Sequence, residues 1–118
     1  MVRDEQLKER WEQVTALCSK RFADGDTMDL DAIIYLIGIQ EFGKFDKNFK
    51  KDDKINLMHI AICRLLEPFG YYQFDYNDPD GWPHYKILAP LPTLKAGEQS
   101  LLMKEAIVFY FLEKGIIN

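Results

Sequence analysis

Residues 52–76, "DDKINLMHIAICRLLEPFGYYQFDY", contain the change of period that decides the fold. As far as Glu67, apolar residues recur every three or four positions, which is typical of one face of an α-helix. Pro68 and Gly70 predict the end of that helix, because proline removes a backbone donor and glycine readily closes a helix. Beyond Gly70, aromatic and polar residues alternate, which indicates a β-strand. We therefore predict a largely buried helix followed directly by a strand.

A second alternating run, residues 84–87, predicts the partner of that strand. The two runs are joined by a segment with the composition of a type I turn, Asn77 to Gly81. In this turn Pro79 fixes the backbone at the second position, Asp80 is tolerated at the third, and Gly81 is favoured at the fourth. The segment therefore predicts a β-hairpin at about residues 71–88.

The first helix is predicted from Asp4 to Phe22. Apolar residues keep helical spacing there, and charged residues fill the opposite side, which indicates an amphipathic surface helix. Gly25 predicts the end of this helix. Asp29 is placed to accept a backbone N–H bond as the cap of a second helix that begins at Leu30.

The second helix is expected to occupy a central position. From Leu30 to about Gly43 its apolar residues extend around most of the circumference rather than along one stripe. After an irregular segment, Asp52 and Asp53 are expected to cap the third helix.

The last helix is predicted at residues 97–115, "GEQSLLMKEAIVFYFLEKG", after an extended connector that contains Pro90 and Pro92. A length of 118 residues fits one domain with its own core. We therefore predict a mainly α fold. It is a single four-helix domain over residues 1–118, with one β-hairpin between the third and fourth helices.

Composition and charge argue against several classes of protein. The chain is 47% hydrophobic and 29% charged, which is typical of a soluble globular domain. A net charge of −4 argues against a general nucleic-acid binder. A Lys-rich run at residues 44–54 contains Phe45 and Phe49, but aspartates dilute it and helical spacing favours a core role for both rings.

The cell compartment predicted for this chain is the cytoplasm. Its N-terminus is charged and lacks the apolar stretch of a secretory signal. The longest uncharged apolar run, "AIIYLIGIQ" at residues 32–40, is about half the length of a membrane span. In a reducing cytoplasm Cys18 and Cys63 are expected to be free, buried thiols.

Two helices predict self-association. Residues 106–112 carry no charged side chain over about two helical turns, and the second helix is similarly apolar on all sides. A small monomer has difficulty covering both, so we expect a homodimer. The alternative is a monomer whose hairpin covers the last helix.

The candidate metal ligands do not predict a metal site. His59 and Cys63 lie four residues apart on one helix face, but two ligands do not make a site. The acidic loops lack the glycine and glutamate positions of a calcium loop. We expect neither a metal nor a cofactor.

The candidate binding residues are Trp82, His84, Tyr72, Tyr85, Asp80 and His59. The favoured hypothesis is a non-enzymatic, self-associating interaction or scaffold module that presents its aromatic hairpin to a protein or small ligand. The alternative is a small enzyme or metabolite-binding protein with a pocket between hairpin and third helix. In that case His84 or His59 would act with an acid, and Asp78, Asp80 and Tyr72 are the neighbours considered for His84. The structural alternative is a wet hairpin edge on which Trp82 packs inward and His84 faces water.

Two segments also carry a resemblance to a family. "LMHIAICRLLEPFGYY" at residues 57–72 and "DGWPHYK" at residues 80–86 resemble those of a family of small, uncharacterised bacterial proteins. The resemblance covers most of the chain and implies a bacterial, cytosolic protein. It implies no activity and no catalytic or binding residue.

Overall fold

The structure is a computed structural model that describes residues 2–44 and 48–118. In these ranges the elements are α1 (Val2–Phe22), α2 (Leu30–Phe42), α3 (Lys51–Leu66), β1 (Tyr72–Asn77), β2 (Pro83–Ile87) and α4 (Ala96–Glu113). This order confirms the predicted mainly α fold with a hairpin between the third and fourth helices. None of the described helices is both long and apolar enough to cross a membrane.

The chain divides into two compact units, and both strands lie in the second. The first unit is Met1–Ile33 with Leu94–Asn118, and the second is Ile34–Thr93. All six candidate binding residues belong to the second unit. The single domain stays a prediction, because a division into compact units does not decide whether each folds alone.

The first unit pairs α1 with α4. Its core includes Val14 and Cys18 from α1 and Ile107 from α4, all of which are buried. The predicted cap of α2 is confirmed, since the Ala32 N–H donates to Asp29 Oδ1 at 2.8 Å. This bond satisfies one of the backbone donors that every helix start leaves unpaired.

The second unit contains a close approach between α2 and α3 at Gly38. A Cβ atom built on Gly38 would overlap the backbone carbonyl group of Leu57. The two helices can therefore approach this closely only because residue 38 has no side chain. Ile37, Leu57 and Ile60 are buried in the core of this unit.

The start of α3 differs from the prediction. Lys50 is the cap residue, and Asp53 occupies the third helical position, so neither Asp52 nor Asp53 is the cap. Asp53 Oδ2 instead accepts a bond from the Lys50 N–H at 3.0 Å. A carboxylate at the third helical position can accept a bond from the backbone N–H of the cap residue. Asp53 therefore stabilises the start of α3 although it is not the cap.

One chain covers most of the two highly apolar helices. In α2, Ile33, Ile34 and Ile37 are buried, and in α4 residues 106–108, 110 and 111 are buried. Phe109 within that run is 41% exposed, and Leu101 earlier in α4 is 46% exposed. The main sequence-based reason for a homodimer is therefore weakened, and the homodimer itself stays a prediction.

The hairpin contains a β-bulge at Asp75. Phe74 pairs with Tyr85 and Tyr76 pairs with His84, so β1 has one residue more than β2 at this point. Tyr85 and His84 are adjacent in β2, so their side chains point to opposite faces of the hairpin. The Phe74–Tyr85 pair therefore lies on one face and the Tyr76–His84 pair on the other. The inner face is the one whose Tyr72 and Tyr85 are partly buried near Cys63 of α3. It also carries Phe74 and Ile87, and the outer face carries Gln73, Tyr76, His84 and Lys86. Alternation along residues 72–76 predicts Tyr76 on the same face as Tyr72 and Phe74. This prediction is wrong, because the bulge turns Tyr76 to the outer face.

Candidate functional site

The turn that joins the strands has the predicted type. The Gly81 N–H donates to the Asp78 carbonyl oxygen at 2.9 Å, which is the bond that closes a four-residue turn. Gly81 follows with a φ of +89°, a conformation that glycine adopts without steric cost. The Asp78 N–H then donates to the Trp82 carbonyl oxygen at 2.9 Å and closes the end of the hairpin.

The side chain of Asp78 connects this turn to His84. Its Oδ1 accepts bonds from the N–H groups of Asp80 and Trp82, both at 3.0 Å. Its Oδ2 lies 2.9 Å from His84 Nε2. The hydrogen bond with His84, followed by that from the Trp82 N–H, holds the pKa of the Asp78 carboxyl below its ordinary value. Of the neighbours considered for His84, Asp78 is therefore the one in contact, and Asp80 contributes its backbone N–H to the turn.

The imidazole of His84 is also stacked on a second ring. The rings of Tyr76 and His84 are nearly parallel, with an interplanar angle of 3° and centroids 4.7 Å apart. Both side chains remain about half exposed, at 51% for Tyr76 and 46% for His84. Asp78 and Tyr76 together fix an exposed imidazole in one orientation on the outer face.

The two candidate tyrosines lie on the inner face, away from His84. Burial is the first cause that raises the pKa of Tyr85, and Glu41 and Glu67 add to it, bringing the value to about 12. Burial, with a smaller contribution from Cys63, also raises the pKa of Tyr72. Both phenols are therefore neutral at pH 7. The structure does not bring Tyr72 together with His84.

Other contacts hold the hairpin to the rest of its unit. The Phe74 N–H donates to Glu67 Oε2 at 2.7 Å, which ties β1 to the residue that follows α3. Trp82 is stacked on Phe42 of α2, with centroids 4.2 Å apart and an interplanar angle of 17°. Trp82 is thus partly buried and acts as a structural anchor of the hairpin. Phe45 and Lys47 of the Lys-rich run lie outside the described residues.

Among the described residues, His59 has no hydrogen bond or ring contact with a hairpin side chain. It lies on α3 with its Nε2 3.6 Å from Cys63 Sγ. Burial raises the pKa of Cys63 to about 11, so its thiol is protonated at neutral pH and is a weak nucleophile. In the described part of the chain, no group of three or more His, Cys, Asp or Glu residues is arranged to hold a metal ion.

Tyr76 was not among the predicted binding residues, and Asp80 was predicted in place of Asp78. The role of Asp78 could have been predicted from the sequence. Aspartate is favoured at the first position of a type I turn, where its side chain bonds to the backbone two residues further on. The role of Tyr76 could not have been predicted, because the bulge that turns it toward His84 depends on pairing across the hairpin.

Comparisons with known proteins give no match, whether to a family model, a curated protein or a solved structure. The geometry of the hairpin is therefore the basis for a functional proposal.

Proposed function

We propose that this protein is a non-enzymatic interaction module that binds a protein or small ligand through the outer face of its hairpin. The observation that carries the proposal is the Tyr76–His84 stack, which is half exposed and held by Asp78. Aromatic side chains supply large contact areas at low cost in conformational entropy, and they are enriched at the centres of binding surfaces.

The rigid attachment of the hairpin supports the same proposal. Tyr85 on the inner face is half-buried, and Trp82 is stacked on Phe42. A surface whose side chains are already ordered loses less freedom on binding than a mobile one. All four outer-face residues, Gln73, Tyr76, His84 and Lys86, are exposed.

Photo-crosslinking tests this proposal even when the ligand is unidentified. Gln73 shares the outer face with the stack, so benzoylphenylalanine placed there would react with whatever binds. The matched control carries the same group at Gln13, which is exposed on α1. We expect discrete protein or metabolite adducts in the producing cells from position 73. Adducts that match those of the control, or that survive a Tyr76→Ala substitution, would overturn the proposal.

Self-association is a second part of the proposed function. Leu101 and Phe109 of α4 are 46% and 41% exposed. They are eight residues apart and therefore lie within about 80° of each other around the helix. An exposed apolar stripe of this kind is suited to a second copy of the chain.

An acid–base enzyme is the second candidate function, and the Asp78–His84 pair favours it. A carboxylate 2.9 Å from one imidazole nitrogen orients the ring, as catalytic histidines require. A panel of model carboxylic and phosphate esters tests the idea with wild type and His84→Gln. Hydrolysis that depends on His84 would support an enzyme, and equal rates for both proteins would dismiss it.

A further inference from the structure

Two hydrogen bonds show which backbone groups of β2 lie on its outer edge, the edge that points away from β1. The Leu88 N–H donates to the Tyr71 carbonyl oxygen at 3.0 Å, so this pair is hydrogen-bonded across the hairpin. The Phe74 N–H donates to Glu67 at 2.7 Å and hence points away from β2. Hydrogen-bonded and non-hydrogen-bonded pairs alternate in antiparallel sheets. The N–H and C=O groups of Tyr85 and Ile87 therefore point away from β1.

This edge has no strand beside it in the described part of the chain, where the sheet consists of β1 and β2. Outside the pairing of β1 with β2, the described residues provide no hydrogen-bond partner for the backbone of Tyr85 or Ile87. The Ile87 side chain is 72% exposed, so the edge is open to a ligand at this point. An unpaired strand edge is a template for an additional strand.

A second copy of β2 is a poor occupant of this edge. Antiparallel pairing centred on Tyr85 would place Ile87 opposite Pro83, which has no N–H to donate. Pairing centred on Lys86 would set two lysines directly opposite each other, which is destabilising. Pairing centred on Ile87 would use Ala89, whose N–H already points toward a carbonyl oxygen of the chain at 3.5 Å. These features are typical of edges protected against self-pairing.

We propose that the outer edge of β2 binds an extended peptide with an acidic residue between two apolar residues. The peptide backbone would pair with the outward groups of Tyr85 and Ile87, as in recognition by strand addition. Its apolar residues would lie opposite Ile87 and Tyr85 on the inner face, where they would cover the exposed Ile87. Its acidic residue would lie opposite Lys86, an opposite-charge pair across the strands. Lys86 also belongs to the outer face, but the peptide would pair with the backbone edge of β2 and not with the Tyr76–His84 stack, so the proposal does not rest on the function proposed above.

Amide NMR of the ¹⁵N-labelled full chain tests the proposal. The probe is the acetylated, amidated peptide Thr-Val-Glu-Val-Thr. We expect the amide signals of Tyr85 and Ile87 to shift on titration and their hydrogen exchange to slow. The amide of Lys86 points toward β1 and is the internal control, since its exchange should change less.

Two substitutions separate backbone pairing from other modes of binding. Ile87→Pro removes one outward N–H at an edge position that tolerates proline, and it should abolish binding, whereas Ile87→Val should retain it. Lys86→Glu should weaken binding of the Glu peptide by about two- to fivefold and should strengthen binding of a peptide with Lys at the central position by a similar factor.

Each outcome supports or overturns the proposal. Binding that Ile87→Pro abolishes and that follows the charge exchange at Lys86 supports it. No binding of either peptide, or binding unaffected by both substitutions, overturns it. Binding lost in Tyr76→Ala but kept in Ile87→Pro would overturn it in favour of the outer face. Concentration-dependent association that Ile87→Pro removes would make a second copy the occupant and would also overturn it.

Discussion

Asp78 is the residue on which both the turn and the orientation of His84 depend. One carboxylate accepts bonds from two backbone N–H groups and lies 2.9 Å from His84 Nε2. These bonds favour its ionised form and lower the pKa of Asp78 in the folded state. The stabilisation is therefore present above the pKa of the unfolded chain and is lost as pH falls through the lower, folded pKa.

From this we expect an acid-sensitive contribution to stability. An unfolded aspartate titrates near about pH 4, so the contribution of Asp78 should be present at neutral pH and should decrease below about pH 4. Urea unfolding from neutral pH to about pH 2.5 measures it, with Asp78→Asn as the control, because the amide keeps an acceptor oxygen and loses the charge. Equal losses of stability in acid for both proteins would contradict this role.

Gly38 supports a second prediction at the scale of one residue. Gly38→Ala should improve helix propensity by about 1 kcal/mol, but the added methyl would overlap the Leu57 carbonyl group. Backbone atoms cannot move aside as a side chain can, and overpacking costs about 1–3 kcal/mol. We expect a net loss of up to about 2 kcal/mol in the free energy of unfolding, measured in urea.

Gly97 provides the matched control for this substitution. It lies in the first turn of α4, and a Cβ atom there would meet nothing within 4 Å. Gly97→Ala should leave stability unchanged or raise it by up to about 1 kcal/mol. If both alanine variants behave alike, the close approach of α2 and α3 does not constrain position 38.

At the scale of elements, the sequence predicted what local chemistry determines. The spacing of apolar residues and the positions of glycine and proline predicted the helices and the hairpin. The residue types of Asp78 to Gly81 predicted the turn between the strands. The bulge at Asp75 could not be predicted, because residues 72–76 alternate without interruption and contain neither Gly nor Pro. Gly38 was missed for a related reason, since only packing against α3 gives it a role.

Deletion of Asp75, the extra residue of the bulge, tests the strand pairing described above. Removing Asp75 should leave Phe74 opposite Tyr85 and Tyr76 opposite His84, now in a regular ladder. We expect the hairpin and the Tyr76–His84 stack to persist, as measured by nuclear Overhauser effects between the two rings. A strand deletion normally turns all residues on one side of it to the opposite face.

Deletion of Gln73 is the matched control. It would move Tyr72 to the position opposite Lys86 and so to the outer face, away from α3. We expect this variant to be clearly less stable than the Asp75 deletion. Loss of the ring contact after removal of Asp75 would show that the pairing across the bulge differs from the one described.

Tyr85 connects the hairpin to α3 and predicts alkaline sensitivity of this element. Burial, with Glu41 and Glu67, raises its pKa in the fold to about 12. A raised pKa stabilises the fold below the unfolded value of about 10 and loses that effect as pH rises toward 12. We expect stability to decrease between about pH 10 and pH 12, and to decrease less in Tyr85→Phe.

At the scale of the whole molecule, burial and exposure give opposite indications for self-association. Ile33, Ile34 and Ile37 of α2 are buried within one chain, as are five of residues 106–112 of α4, which weakens the case for a partner. Leu101 of α4 nevertheless remains 46% exposed. Wild-type chains should form dimers of about twice 13.9 kDa by light scattering as concentration rises, if this stripe is an interface.

Leu101→Lys should shift this equilibrium toward the monomer, because it places a charge in an apolar contact. Leu88→Lys is the matched control, since Leu88 is 53% exposed but lies on the connector after β2. Equal effects of both variants would indicate that net charge, not the α4 stripe, governs association. A wild-type chain that stays monomeric at every concentration would remove self-association from the proposed function. The hairpin proposals would remain, because the outer face and the β2 edge are formed within one chain.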